Sequence, residues 1–439
     1  MLMSILAILL LIAAVLHITR SRASAAEVAF AAGAARTDIT PDPAMANWVD
    51  GRPYDGVLDP LALRGLVLSD GATEFALICW DLIDATEECV IDARRAVRGA
   101  TGIPESHVLV AASHTHSSPR SPYVPSTFPG RKSERLRAIL DDPVFEAWSR
   151  LLPERCADVL KRAQGRLQPV TLNIGRANVS EWLFNRRPLD PDGNVVTMFR
   201  PKDPHTLPNG LRFGSLDPTL TVLTLQGADN TSVATIYSLP CHSVSIYPFH
   251  RGVSADWPGP ANERISEVLG GETFFLQGCA GDVVPVARGE EARTEMARFF
   301  AERAIAAARN SHRLPSSPLR ISTGVAGLPL VSEARKQTGA DIRPVEIQVV
   351  VCGPFGLAVL PGEPLNGLAR EIQARSPLPH TLVIGYANGR GVSYVGLPGE
   401  KARGGYEAGA GQGTEEAGDF LIQTAVRLLQ ETIDGNSED

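Results

Sequence analysis

Short apolar runs alternate with amphipathic segments along most of the chain, a pattern that predicts interleaved strands and helices. Runs rich in branched and aromatic residues predict strands at 63–68, 75–80, 108–112, 169–174, 219–225, 232–239, 273–276, 345–352, 356–360 and 381–386. Apolar residues at helical spacing predict helices at 85–100, 145–164, 262–269, 292–307, 363–374 and 417–432. Pro153 should kink or divide the second of these helices. Because strands and helices alternate without a clean linker, we predict an α/β fold, a single domain with a mixed β-sheet core flanked by helices.

One long segment shows neither the helical nor the strand periodicity of apolar residues. Residues 190–211 are rich in proline, glycine and aspartate. Loops of this length inside a compact domain are usually functional. We therefore expect a lid or a binding surface there.

Several predicted strands are followed by residues that can bind a metal or move protons. These residues are His114, His116, His242, Glu363 and Tyr394. His114 and His116 stand at i and i+2, a spacing that puts both imidazoles on one side of an extended chain. Ligands gather at strand ends in α/β sheets, and histidine combined with a carboxylate suits zinc. The set therefore favours a mononuclear metal site.

Each of these residues also has a purely structural interpretation. The three histidines could be surface or hydrogen-bonded core residues. Glu363, at the start of the predicted helix 363–374, could be an acid favoured by the helix dipole. Tyr394 could be an ordinary loop or strand aromatic. The residues alone leave these alternatives open.

Composition narrows the class of partner. The net charge is −7 and no run of lysine and arginine is present, which excludes a nucleic-acid-binding surface of the usual basic kind. Six cysteines lie far apart without a C-x-x-C pair, so neither a cysteine zinc site nor a disulfide framework is predicted. We expect buried free thiols.

The N-terminal residues predict an export signal or a membrane anchor. Residues 2–18 are almost continuously apolar, and two arginines and the run Ala23-Ser24-Ala25 follow. Small residues in an A-x-A pattern mark signal cleavage, whereas the missing positive n-region favours an uncleaved anchor. We expect residues 1–26 to be one or the other. The domain at 27–435 would then be secreted, periplasmic or membrane-anchored outside the cytoplasm.

Motifs in chain order between about residues 31 and 430 resemble those of the neutral/alkaline (non-lysosomal) ceramidase family. The matching segments are Ala35-Arg36-Thr37-Asp38-Ile39-Thr40-Pro41, His114-Thr115-His116-Ser117-Ser118-Pro119 for the family's H-T-H-S-G-P, Asn185-Arg186, the segment around His242, Pro361-Gly362-Glu363, and Tyr394 through Tyr406-Glu407. The resemblance implies the catalytic domain of a ceramidase over residues 27–435, and no immunoglobulin-like domain is expected at the C-terminus.

The resemblance also implies a set of site residues. Zinc (Zn²⁺) would be held by His114, His242, Glu363 and Tyr394. His116, Arg186 and Tyr406 would be catalytic, with His116 handling protons and the other two lying near the amide carbonyl. The implied reaction is hydrolysis of the N-acyl amide bond of ceramide or a related N-acyl lipid to fatty acid and free amine. A lipid-like substrate would make association with a membrane surface possible. The oligomeric state stays open.

Three positions depart from the family pattern. Val284 stands where the family's G-D-x-S-P segment has a serine, so this residue can neither attack nor donate a hydrogen bond. Ser118 replaces the glycine of the histidine motif and could crowd that loop, and Tyr394 is followed by Val-Gly-Leu rather than Ile-Thr-Thr. Two alternatives therefore stay open. One is a hydrolase of a different amide or ester, and the other is a non-catalytic lipid-binding relative.

Overall fold

The computed structural model describes residues 29–122, 139, 141–201, 203, 205–315 and 317–435. Its strands are β1 Phe30–Asp38, β2 Ala62–Ser69, β3 Glu74–Trp80, β4 Val108–Ala112, β5 Gln168–Asn178, β6 Leu183–Asn185, β7 Thr219–Gln226, β8 Ser232–Leu239, β9 Glu272–Gln277, β10 Val283–Pro285, β11 His312–Arg313, β12 Leu319–Pro329, β13 Ile342–Cys352, β14 Phe355–Val359, β15 Glu363–Pro364, β16 His380–Ile384 and β17 Tyr394–Val395. Its helices are α1 Glu87–Thr101, α2 Pro143–Arg150, α3 Leu152–Gln164, α4 Pro258–Leu269, α5 Glu290–Arg309, α6 Ser332–Thr338, α7 Asn366–Arg375, α8 Tyr406–Ala410 and α9 Ala417–Asp434.

Most strands belong to two sheets. The larger has nine strands in the order β4-β3-β2-β1-β5-β7-β8-β9, with β11 paired to β5. The smaller has four strands in the order β12-β13-β14-β16. Both sheets are mixed, because β3 and β4, β8 and β9, and β14 and β16 pair in parallel while their other pairs are antiparallel. Two-stranded ribbons, β10-β6 and β15-β17, complete the pairing.

The two sheets pack face to face, with helices on both outer surfaces. Strand β3 shows how alternation builds this arrangement, since successive side chains point to opposite faces. Phe75 and Leu77 lie in the core between the sheets together with Leu357 and Val359 of β14. Ile78 instead packs with helices α1 and α3 on the outer face. Helices α4 and α5 cover the rest of the larger sheet, while α7 and α9 cover the smaller one. This is the predicted α/β fold with mixed sheets and flanking helices.

The predicted division of the helix at 145–164 is confirmed. Helix α2 ends at Arg150 and α3 begins at Leu152. Pro153 lies in the first turn of α3. A proline is tolerated there because the first amide groups of a helix have no intrahelical acceptor. The break between α2 and α3 therefore places Pro153 at a position where it costs no intrahelical hydrogen bond.

The prediction that Glu363 begins a helix is wrong. Glu363 lies in strand β15, and helix α7 begins only at Asn366. The residue after Glu363 is Pro364, whose ring disfavours the helical region for the residue before it. The extended conformation lets Glu363 pair with Tyr394 of β17, which a helical residue could not do.

The predicted signal or anchor lies outside the described residues. Within the part of the chain that the structure describes, no helix is long and apolar enough to cross a membrane.

Candidate metal centre and active site

His114 lies two residues beyond the end of β4, in a left-handed backbone conformation with φ 61°. Its backbone N–H donates to the carbonyl of Leu82 at 3.0 Å. Its ring Nδ1 lies 2.6 Å from the carbonyl of Ile83. A carbonyl only accepts, so Nδ1 carries a proton, and Nε2 is the ring nitrogen directed into the site.

His242 is held in the same way after β8. Both its backbone N–H and its Nδ1 bond the carbonyl of Val283, each at 3.0 Å. Its Nε2 is buried and has no hydrogen-bond partner among the described residues. Burial, and then the charge of Arg186, lower the pKa of His242 to about 3. The ring is therefore neutral at physiological pH.

Glu363 faces both of these rings. Its Oε2 lies 3.4 Å from Nε2 of His114 and 3.6 Å from Nε2 of His242. Burial by itself would raise the pKa of Glu363, but the imidazoles of His114 and His242, in their charged forms, outweigh it and hold that pKa well below the usual range. No donor bonds Oε2 within the described chain. The carboxylate is thus ionised, with an acceptor atom directed at the Nε2 atoms of both rings.

His116 completes a cluster of three imidazoles. Its Nε2 lies 3.1 Å from Nε2 of His114, and its Nδ1 has no partner in the described structure. Burial, and then the neighbouring imidazoles of His114 and His242, hold the pKa of His116 well below its ordinary value. One ring nitrogen from each of the three histidines falls within a group spanning 4.8 Å. Such a group can bind a metal ion.

The donor chemistry fits a divalent metal. The Nε2 atoms of His114 and His242 converge on an ionised carboxylate, and a cation held among these three groups would satisfy all of them. Two imidazoles and a carboxylate are a common zinc set. Either His116 or the phenol of Tyr394 is close enough to the carboxylate and rings to add a further donor.

Tyr394 reaches the cluster through strand pairing. The ribbon β15-β17 places it opposite Glu363 in parallel register, and the N–H of Glu363 donates to the carbonyl of Ser393 at 3.0 Å. Burial, and then the charge of Glu363, raise the pKa of Tyr394 well above its usual range. The structure therefore joins all four residues that the resemblance assigned to zinc.

Arg186 lies behind Tyr394 in a fixed orientation. Its Nε donates to Glu407 and its Nη2 to the carbonyl of Gly281, both at 2.6 Å. Glu407 is buried and also accepts from Arg187 at 2.7 Å. Burial opposes the charged guanidinium, but Tyr394 and Glu407 outweigh it and raise the pKa of Arg186. Arg186 is thus a permanent cation with two of its nitrogens already engaged.

Aromatic rings surround Arg186 at the mouth of the site. Its guanidinium lies 5.5 Å from the ring centre of Tyr406 and 5.3 Å from that of Phe199. Tyr406 is 48% exposed, and its ring meets that of Tyr394 edge-on with the ring centres 5.5 Å apart. Phe199 belongs to the loop at 190–211, which was expected to form a lid or binding surface, and it contacts Tyr406 at 5.3 Å. This loop therefore borders the site.

A pocket of about 110 Å³ gathers most of these groups. Predicted residues on its wall are His114, His116, Glu363, Tyr394 and Tyr406. It adjoins a groove of about 540 Å³ that shares Tyr394 and Tyr406 and continues past helix α6. A substrate larger than the pocket can therefore extend along the surface.

Sequence reasoning missed several residues of the pocket wall. These are Trp48, Asp84, Arg120, Tyr386 and Arg390. Asp84 and Tyr386 follow β3 and β16, so a search of every strand end would have found them. Trp48, whose ring meets that of His116 edge-on at 5.4 Å, gives no such signal.

Two of the departures from the family pattern have clear structural positions. Val284 is fully buried in β10, opposite Phe184 of β6, and is absent from the pocket wall as described. The hydroxyl of Ser118 is buried and lies 3.1 Å from the carbonyl of Thr115, so the extra side chain has a hydrogen-bond acceptor within its own loop. Neither residue adds a reactive group to the pocket.

The fold and site together define a two-sheet α/β protein with a buried imidazole–carboxylate cluster beside a pocket. No family model matches the chain, and no curated protein matches it. The chain does match solved structures. The crystal structure of neutral ceramidase from Pseudomonas aeruginosa aligns with a TM-score of 0.71 at 17% identity, over 94% of this chain and 76% of that chain. A ceramidase complexed with C2 aligns with a TM-score of 0.73 at 17% identity, over 94% and 77% of the two chains. The predicted ceramidase-like fold is thereby confirmed.

Proposed function

We propose that the protein is a zinc-dependent amidohydrolase that cleaves the N-acyl amide bond of ceramide or a related N-acyl lipid. The products would be a fatty acid and the free sphingoid base or amine. The observation that carries this proposal is the convergence of His114, His242 and Glu363, with Oε2 of Glu363 3.4 Å and 3.6 Å from the two Nε2 atoms. The ceramidase-like fold supports a hydrolase of this kind.

His114, His242, Glu363 and Tyr394 would hold the metal. Both imidazoles have Nδ1 bonded to a backbone carbonyl, which fixes the rings and directs their Nε2 atoms toward the carboxylate. When bound, zinc supplies a Lewis acid that acidifies water and polarises a carbonyl group.

His116 is suited to proton transfer. Its ring is neutral because burial and two neighbouring imidazoles lower its pKa, and its Nδ1 has no partner in the described chain. A neutral imidazole can accept a proton from water and later deliver it to the leaving amine. The edge-on contact with Trp48 and the 5.2 Å contact with Tyr247 hold the ring in place.

Arg186 and Tyr406 would bind the amide group. Glu407 and the carbonyl of Gly281 fix the guanidinium before substrate arrives, so little reorganisation is needed when negative charge develops on the carbonyl oxygen. The half-exposed Tyr406 lies between the pocket and solvent, where its ring can cover bound substrate and its hydroxyl can donate a hydrogen bond.

A hydrolase of a different amide or ester is the second candidate. One feature of the pocket wall favours this second candidate: Asp84, Arg120 and Arg390 give one side of the pocket a polar, charged surface. Arg120 donates to Asp84 at 2.6 Å, and Arg390 lies 3.4 Å from the same carboxylate. Such a wall suits a polar head group better than a second alkyl chain.

A substrate panel separates the two candidates. Zinc-loaded protein would be assayed for fatty-acid release from fluorescent ceramide, from the matching ester, from N-acyl amino acids and from simple short amides. The proposal expects chelator-sensitive release with ceramide or another long-chain amide as the best substrate. Preference for the ester or a short amide would favour the second candidate, and no release from any member would contradict a hydrolase. Extracytoplasmic location and membrane-surface association stay predictions.

A further inference from the structure

We propose that Tyr386 is a further catalytic residue, whose hydroxyl donates a hydrogen bond to the carbonyl oxygen of the bound amide and to the oxyanion that forms from it. This inference rests on the proposed function. Neither the motif pattern nor the metal set assigns this tyrosine a role.

The backbone of Tyr386 is held in an unusual conformation. Its φ is 56°, in the left-handed region that bulky residues rarely adopt. Its N–H donates to the carbonyl of Gly362 at 2.8 Å, and its carbonyl accepts from the N–H of Ala112 at 3.0 Å. The end of β4, two residues before His114, and the residue directly before Glu363 thus fix this residue. Conformations of this kind are strained and cluster at functional sites.

The side chain lies against the candidate metal centre. Its ring centre is 4.2 Å from that of His114 and 6.1 Å from that of His242. Tyr386 is 3% exposed and lines the same pocket as His116 and Glu363. It therefore forms part of the wall of the pocket in which the reacting amide would bind.

The hydroxyl of Tyr386 has no hydrogen-bond partner in the described part of the chain. Leaving a buried hydroxyl unpaired is unfavourable, so an acceptor brought by a ligand would be favoured there. A phenol donates through its O–H, and a carbonyl oxygen is the acceptor that an amide substrate brings. Negative charge that builds on that oxygen would strengthen the bond.

Tyr237 provides a matched control. Its hydroxyl is also buried and unpartnered among the described residues, but its ring packs on Phe275 in the core and is absent from the walls of the pocket. Tyr237→Phe and Tyr386→Phe therefore remove the same atom, in one case from the core and in the other from the pocket wall. A general effect of losing a buried hydroxyl would appear in both variants.

The experiment compares kcat, KM, bound zinc and thermal unfolding for wild type, Tyr386→Phe and Tyr237→Phe on the best amide of the panel. We expect Tyr386→Phe to lower kcat by about 100- to 1000-fold, as loss of one oxyanion donor does, with KM and bound zinc nearly unchanged. Tyr237→Phe should keep the wild-type kcat.

An unchanged kcat in Tyr386→Phe beside an active wild type would overturn this inference alone. Loss of zinc from Tyr386→Phe would also overturn it, because the residue would then be a metal ligand. A wild type that releases no fatty acid from any substrate would overturn the proposed function, and this inference with it.

Discussion

Oε2 of Glu363 lies 3.4 Å from Nε2 of His114, although the two residues follow strands of different sheets. His114 follows β4 at the edge of the larger sheet, and Glu363 follows β14 of the smaller one. Isolated bridges connect both end strands of the larger sheet to the edge strand of the smaller one: Ala111 of β4 pairs with Ala387 just beyond β16, and Gly278 just beyond β9 pairs with Ile384 of β16. The candidate metal centre therefore sits where the two sheets meet.

Because its ligands come from both sheets, bound zinc should stabilise the folded protein. We expect the free energy of unfolding to rise by about 2.7 kcal/mol when free zinc is 100-fold above its Kd. The check is thermal unfolding with and without chelator. His114→Ala should show no such rise, and an equal rise in this variant would place the zinc elsewhere.

Glu407→Gln tests the anchoring of Arg186. Glu407 is the buried carboxylate shared by Arg186 and Arg187, so its loss leaves two buried cations short of a partner. We expect the free energy of unfolding to fall by about 3 kcal/mol or more, and kcat to fall because the guanidinium loses its orientation. Denaturant unfolding and steady-state kinetics measure the two effects.

The matched control for that change is Glu146→Gln. Glu146 pairs with Arg150 on an exposed helix surface, with 58% of its side chain exposed. Surface pairs of this spacing contribute about 0.5 kcal/mol or less. Equal losses in the two variants would contradict a special role for Glu407.

Val284→Ser restores the side chain that the family pattern has at this position. Val284 is fully buried in β10 and does not line the described pocket, so the new hydroxyl would be buried with no assured partner. We expect a loss of about 1–3 kcal/mol in unfolding free energy and no change in the ratio of rates on ceramide and on a short amide. A shifted ratio would show that this position contacts substrate.

Asp282 should make stability depend on pH. Burial raises its pKa to about 6, although the N–H of Asn366 and the amide of Asn185 bond the carboxylate. A carboxyl with a raised folded-state pKa stabilises the fold below its unfolded value and loses that contribution as pH rises through the folded value. Relative to Asp282→Asn, wild type should lose about 2 kcal/mol of unfolding free energy between about pH 4.5 and pH 7.5. A flat difference across this range would contradict the raised pKa.

Sequence alone predicted the long elements well, because their periodicity extends over many residues. Strands β4 and β8 have the predicted bounds, and Pro153 marks the start of α3. Strand β1 was missed because its alanine-rich sequence lacks the branched residues typical of strands. The two-residue strands β15 and β17 were missed since so short a segment carries no periodicity and depends on pairing across the chain.

The candidate site could likewise be predicted only in part. Residues carried by motifs, including His114 and Glu363, could be predicted as a set, and the structure brings them together. Trp48 could not, because its place in the pocket depends on contacts between distant segments. The unpartnered hydroxyl of Tyr386 is visible only when every neighbouring donor and acceptor is positioned.

The most direct test is the zinc content of purified protein, measured per chain for wild type, His114→Ala, Glu363→Ala and the surface control His312→Ala. His312 is exposed and lies in β11, away from the pocket wall as described. We expect about one zinc in wild type and in His312→Ala, and little in the two ligand variants. Undiminished zinc in His114→Ala and Glu363→Ala, or none in wild type after incubation with zinc, would contradict the candidate metal centre.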